Sequence, residues 1–164
     1  MAKKLNKPRN ILLFQNLYPI NLYISDIDNW DEITQFFDFF LTTKHLQNED
    51  KCETPDKPNN ALGVTYLVAE KKSGSMGILI VLKSKVECST LAHESIHYAD
   101  AVYDFLRMNT EGYDEGNEQY AYLVTWCVDQ LEEYLRWKER KTRSDFAKSS
   151  NNNADAKSNI SRSK

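Results

Sequence analysis

The chain has 164 residues, of which 41% are hydrophobic and 27% charged, enough for one domain with a buried core. Its 21 lysines and arginines are offset by 24 aspartates and glutamates, for a formal net charge of −3, which excludes a general electrostatic pull toward nucleic acid or an anionic membrane. Cys52, Cys88 and Cys127 are too far apart for a CxxC pair or a disulfide framework, so free thiols are expected.

Residues 1–9 read as a flexible basic start carrying Lys3, Lys4, Lys7 and Arg9, and such runs are usually solvated. The apolar run 11–14 is too short for a signal peptide and is stopped by Gln15 and Asn16. No segment approaches the roughly 20 apolar residues of a membrane span. A cytoplasmic protein is the expectation. Residues 10–24 are rich in Ile, Leu, Tyr and Phe around Pro19, which predicts one or two strands, broken or placed at an edge by the proline. Residues 28–46 read as a helix. Asp28 or Asn29 can cap it, and Ile33, Phe36, Phe37, Phe40 and Leu41 recur at helical spacing.

Residues 47–60 are polar, with Pro55 and Pro58, and predict a loop. Residues 61–70 and 76–83 flank a glycine-containing turn, which predicts a β-hairpin. The run 77–82 is nearly all apolar, as in a strand covered on both faces. Ser89 or Thr90 can cap a helix over 91–108, with Leu91, Ala92, Ile96, Ala99, Val102 and Leu106 as its apolar face and Gly112 beyond its end. A last helix is predicted from 115–117 to about 141. The Ser-, Asn- and Lys-rich remainder, 142–164, reads as a disordered polar tail. The expected organisation is a single domain over 10–141. Its class is α+β, with a small antiparallel or mixed sheet, a helix before the hairpin and two helices after it.

The chemistry sits in His93-Glu94-Ser95-Ile96-His97. Residues four apart on a helix lie one turn above each other, so both imidazoles can reach one cation. Zinc binds neutral histidine nitrogens in a tetrahedral site. Glu94 is placed to take a proton from zinc-bound water. A catalytic zinc also needs a third protein ligand and an open position. Glu118 is the preferred third ligand because it sits inside the last helical pattern, in its first turn, and Glu115 and Glu111 are its rivals. Asp100 lies on the histidine stripe and can orient an imidazole. Tyr113, Tyr120 and Tyr122 are candidates to stabilise an oxyanion, against plain packing roles for each. His45 reads as a surface histidine. Cys88 reads as a thiol at the helix cap, or as a fourth ligand if the site is structural.

The His-Glu-x-x-His helix followed by a second helix with Asn117-Glu118 resembles the gluzincin group of zinc metallopeptidases. The resemblance covers residues 76–135. It implies a zincin-like minimal domain holding one zinc, with His93, His97 and Glu118 as ligands and Glu94 as general base. It also implies that the upstream strand, 78–83, lines the substrate cleft and offers its edge to an extended peptide. Tyr122 stands where such enzymes often carry an orienting aspartate. The pattern is also similar to small phage-borne proteins assigned as metallopeptidases, and Glu115-Gly116-Asn117 echoes the Glu-Ala-Asn of repressor-cleaving metallopeptidases. That register makes Glu115 the ligand. If the chain is phage-encoded, its expected place is the host cytoplasm.

The function expected from these residues is zinc-dependent peptide-bond hydrolysis on a peptide or protein substrate, a regulator being one candidate. The alternative is a non-catalytic zinc-binding interaction protein, or a virion or assembly protein, that retains the fold. Neither a membrane nor a nucleic acid is an expected partner.

Overall fold

The structure, a computed structural model, describes residues 10–15, 17–110, 112 and 116–160, with side chains described through residue 144. Its elements in chain order are β1 (Leu12–Phe14), β2 (Asn21–Asp26), a 3-10 turn (Ile27–Asn29), α1 (Trp30–Phe36), β3 (Phe37–Phe40), α2 (Thr43–Gln47), β4 (Gly63–Glu70), β5 (Met76–Leu82), α3 (Cys88–Leu106) and α4 (Glu118–Ile160). The class is α+β with a mixed sheet, as expected. No described helix is long and apolar enough to cross a membrane.

The five strands run in the order β1-β2-β5-β4-β3. The predicted hairpin is present, with Gly63 opposite Leu82 and Ala69 opposite Met76. Its turn closes by hydrogen bonds from Gly74 N to Glu70 O at 2.8 Å and from Glu70 N to Ser75 O at 3.0 Å, and Gly74 adopts φ +70°, where glycine carries no steric penalty. β5 is inserted beside β2 in parallel, Asn21 opposite Gly77 and Asp26 opposite Leu82. With partners on both edges, its residues 77–82 are all buried. The expectation that 78–83 offers an edge to a peptide is therefore corrected: both of its edges are already paired. The free length belongs to β4. The edge strand β3 pairs only with Leu67–Glu70, so 63–66 have no strand on that side among the described residues.

The single helix expected over 28–46 is corrected to helix, strand, helix. Phe37 and Phe39 are buried on one face of β3 and pair along β4. Phe-Asp-Phe-Phe satisfies period two as well as helical spacing, and aromatic residues suit a half-buried pleated surface. Leu41, assigned to the helical apolar face, is 75% exposed. Thr42 then caps α2, accepting from His45 N at 3.2 Å.

Alternation along the strands divides the core in two. Tyr23, Phe37, Phe39, Val68, Leu79 and Val81 cluster with Trp30 and Ile33 of α1. Successive residues point to opposite faces, so Ile78, Ile80 and Leu82 look the other way. α3 packs against β4 and β5, burying Leu91, Glu94, Ser95, Tyr98, Ala99, Val102 and Tyr103. The expected apolar face is thus rotated: Ile96 is exposed, and Glu94 and Ser95 lie inward. α3 begins at Cys88 without a side-chain cap, rather than behind Ser89 or Thr90, and it ends on Arg107 at φ 56°. Met108 N returns to Tyr103 O at 2.9 Å, a left-handed closure that glycine more often provides.

The chain divides into two compact units, Met1–Leu131 and Glu132–Lys164, so the boundary expected at 141 falls inside the second. α4 continues to Ile160 where a disordered tail was expected from 142. No glycine or proline follows Gly116, so nothing interrupts the helical hydrogen-bond ladder. Low apolar content limits burial, not backbone conformation. Within the second unit Arg136 meets Glu132 at 2.9 Å, Arg140 meets Glu133 at 2.6 Å, and Lys141 lies 5.0 Å above the Trp137 ring.

Candidate metal centre

His93 and His97 stand one turn apart on the exposed shoulder of α3. Their Nε2 atoms approach to 3.1 Å, and the rings meet edge to face with centroids 4.7 Å apart. A tetrahedral zinc with bonds of about 2.0–2.1 Å holds two histidine nitrogens about 3.3 Å apart. The pair therefore fits one zinc ion with a shift of a few tenths of an ångström.

The imidazoles open onto a cleft of about 530 Å³ lined by His93, Glu94, His97 and Ala101 of α3, residues 63–67 of β4, and Phe39, Phe40, Leu41, Cys52 and Pro55. Glu94 is 3% exposed. Its Oε2 accepts a hydrogen bond from Thr65 Oγ1 at 2.7 Å. Gly63 gives the carboxylate its room, since a Cβ there would stand 2.8 Å from Glu94 Cγ and 3.1 Å from Oε1. Tyr66, on the same strand, is held above its ordinary pKa by burial and then by the Glu94 charge. The Cys127 thiol, deep in α4, is pushed up to about 12, mainly by burial, with Glu94 adding to it. The cleft thus joins a nitrogen pair at its mouth to a carboxylate in its wall.

The other expected participants divide. α4 does return to α3 in its first turn, but through Tyr120 rather than Glu118. Tyr120 donates to Asp100 Oδ1 at 2.7 Å, and its ring meets Tyr103 edge to face at 5.2 Å. Burial and then this carboxylate hold the Tyr120 phenol well above its ordinary range. Asp100 accordingly engages Tyr120, with no bond to a histidine among the described residues. Glu118 is exposed at the start of α4. Among the described residues, no three His, Cys, Asp or Glu side chains form a metal-holding group, so Glu118 does not join the histidine pair here. Glu111, Tyr113 and Glu115 lie outside the described residues.

Tyr122 is 68% exposed and lines a separate depression with Leu17, Tyr18 and Trp126. His45 sits in α2, its Nδ1 2.7 Å from Thr42 Oγ1. The three cysteines are free: Cys88 is exposed, Cys52 half-buried and Cys127 buried. Sequence reasoning missed Gly63, Thr65 and Tyr66. The available signal was a glycine two residues before a threonine at the start of a predicted strand, which puts both on one face. No protein-family model, curated protein or solved structure matches the chain.

Proposed function

We propose that the chain is a zinc-dependent peptidase in which His93 and His97 hold the metal and Glu94 is the general base. The observation that carries the reading is the approach of the two Nε2 atoms to 3.1 Å on the cleft into which Glu94 faces. When bound, zinc supplies Lewis acidity: it polarises a carbonyl and makes water easier to deprotonate. Glu94 takes a proton from the water whose oxygen bonds to the carbonyl carbon, and gives it to the amine nitrogen as the carbon–nitrogen bond breaks. The length of β4 at 63–66 left unpaired by β3 suits an extended peptide laid along it, which backbone hydrogen bonds can hold. Apolar walls from Phe40, Leu41 and Pro55 receive its side chains and displace water.

Glu94→Gln keeps the shape of the side chain and removes the base. Zinc-loaded wild type and E94Q are incubated with a proteome-derived peptide library and the new termini counted. Cleavage by wild type alone, with zinc content equal in both, supports the reading. Equal cleavage by both removes Glu94 from the mechanism. Zinc binding without cleavage assigns the chain to the second class, a non-catalytic zinc-binding interaction or assembly protein.

A further inference from the structure

We infer that Thr65, seated beside the space left open by Gly63, is the positioning residue that holds Glu94 off the metal so that it acts as a base rather than a ligand. The inference rests on the zinc reading above. It begins from a problem of reach. Glu94 directly follows His93, and a glutamate side chain is long enough to turn toward a cation held by its neighbour. A carboxylate bound to the metal is a weaker base toward water, because the cation lowers its proton affinity.

β4 meets the Glu94 side chain at two points. Thr65 Oγ1 donates to Oε2 at 2.7 Å. Two residues earlier, on the same face of the strand, Gly63 has no side chain where a Cβ would stand 2.8 Å from Cγ, 3.1 Å from Cδ and 3.1 Å from Oε1. The side chain therefore lies flat against the backbone at residue 63 and is tied at its end by residue 65. At 3% exposure a carboxylate needs a donor. Thr65 is the one hydrogen-bond donor to it among the described residues. The carboxylate is directed along β4 while the nitrogens face each other.

The test uses the full chain and cobalt(II), whose visible absorption reports the number and type of its ligands. Thr65→Val keeps the branched shape and removes the donor, and T65S restores a hydroxyl. The expected result is a changed cobalt spectrum in T65V, a wild-type spectrum in T65S, and loss of the change in T65V combined with E94Q. Gly63→Ala, which pushes on Cγ, is expected to change the spectrum as T65V does. With a cleavable peptide, kcat in T65V falls about 10- to 100-fold, as when outer-shell partners are removed, while KM stays nearly constant. A T65V spectrum identical to wild type in a folded, cobalt-binding protein overturns this assignment and leaves the zinc reading intact. A wild type that binds no cobalt overturns the zinc reading and the assignment with it.

Discussion

Gly77→Ala adds one methyl group to the middle of the sheet, and the structure gives its cost. The new Cβ would stand 2.2 Å from Tyr23 Cε2, 2.6 Å from Cδ2 and 3.0 Å from Asn21 O. Carbon atoms pack at about 3.5–4.0 Å, so the ring must withdraw by more than about 1 Å. It is not free to do so. Phe37 meets it edge to face at a centroid distance of 4.8 Å, and its hydroxyl donates to Glu70 Oε1 at 2.9 Å. Overpacking costs about 1–3 kcal/mol, and losing a hydrogen bond to a charged partner about 1.5–3 kcal/mol. Stiffening of the unfolded chain returns about 0.4–1 kcal/mol. The net loss is about 1.5–5.5 kcal/mol. Urea unfolding measures it, at a slope of about 1–3 kcal/mol per molar. In a Tyr23→Leu background, which removes the far end of the ring, G77A is expected to cost less than about 1 kcal/mol, because contacting residues couple strongly. An equal cost in both backgrounds would refute the packing of β2 across β5, and with it the parallel pairing that seals β5 in the centre of the sheet.

Two further outcomes follow from burial and ionisation. Phe37→Ala is expected to cost about 3–5 kcal/mol, because the ring is fully buried, whereas exposed Leu41→Ala stays within about 0.5 kcal/mol. Similar costs for the two in denaturant unfolding would restore the single helix that places both residues on one apolar face. Tyr23, Tyr66 and Tyr120 all have pKa values raised above 10.0, with burial the largest cause. The folded state keeps these protons after the unfolded chain begins to lose them. Their stability contribution is therefore complete below pH 10 and declines as pH rises through the folded values. Tyrosinate absorbance of the native protein should show these three and Tyr134, whose phenol burial also raises, titrating late among the nine tyrosines; a single native transition of all nine near pH 10 would contradict their burial.

Local patterns carried the hairpin and α3. Alternation on both sides of Lys71-Lys72-Ser73-Gly74-Ser75 marks two strands, and the four-residue spacing of His93 and His97 carries directly into adjacent imidazoles. Non-local pairing was not legible. Phe37 and Phe39 become strand residues because β4 lies beside them, and β2 lies parallel to β5 across a separation of about fifty residues that no local signal spans. The third-ligand assignment was exposed to the same difficulty. Helical periodicity marks where α4 starts, but tertiary packing decides which residue of its first turn meets α3, and Tyr120 does so at Asp100. Burial of Glu94 was missed because a charged residue on an amphipathic helix is ordinarily assigned to solvent. Gly63 and Thr65 give it a place inside.

The central claim is that His93 and His97 share one zinc ion. Metal-free wild type, His93→Ala and His97→Ala are dialysed against zinc at neutral pH and the bound metal is measured against protein concentration. The account predicts about one zinc per wild-type chain and loss of that zinc in each variant, with the fold retained by circular dichroism. Wild type that binds no zinc, or variants that bind it as fully as wild type, would contradict it.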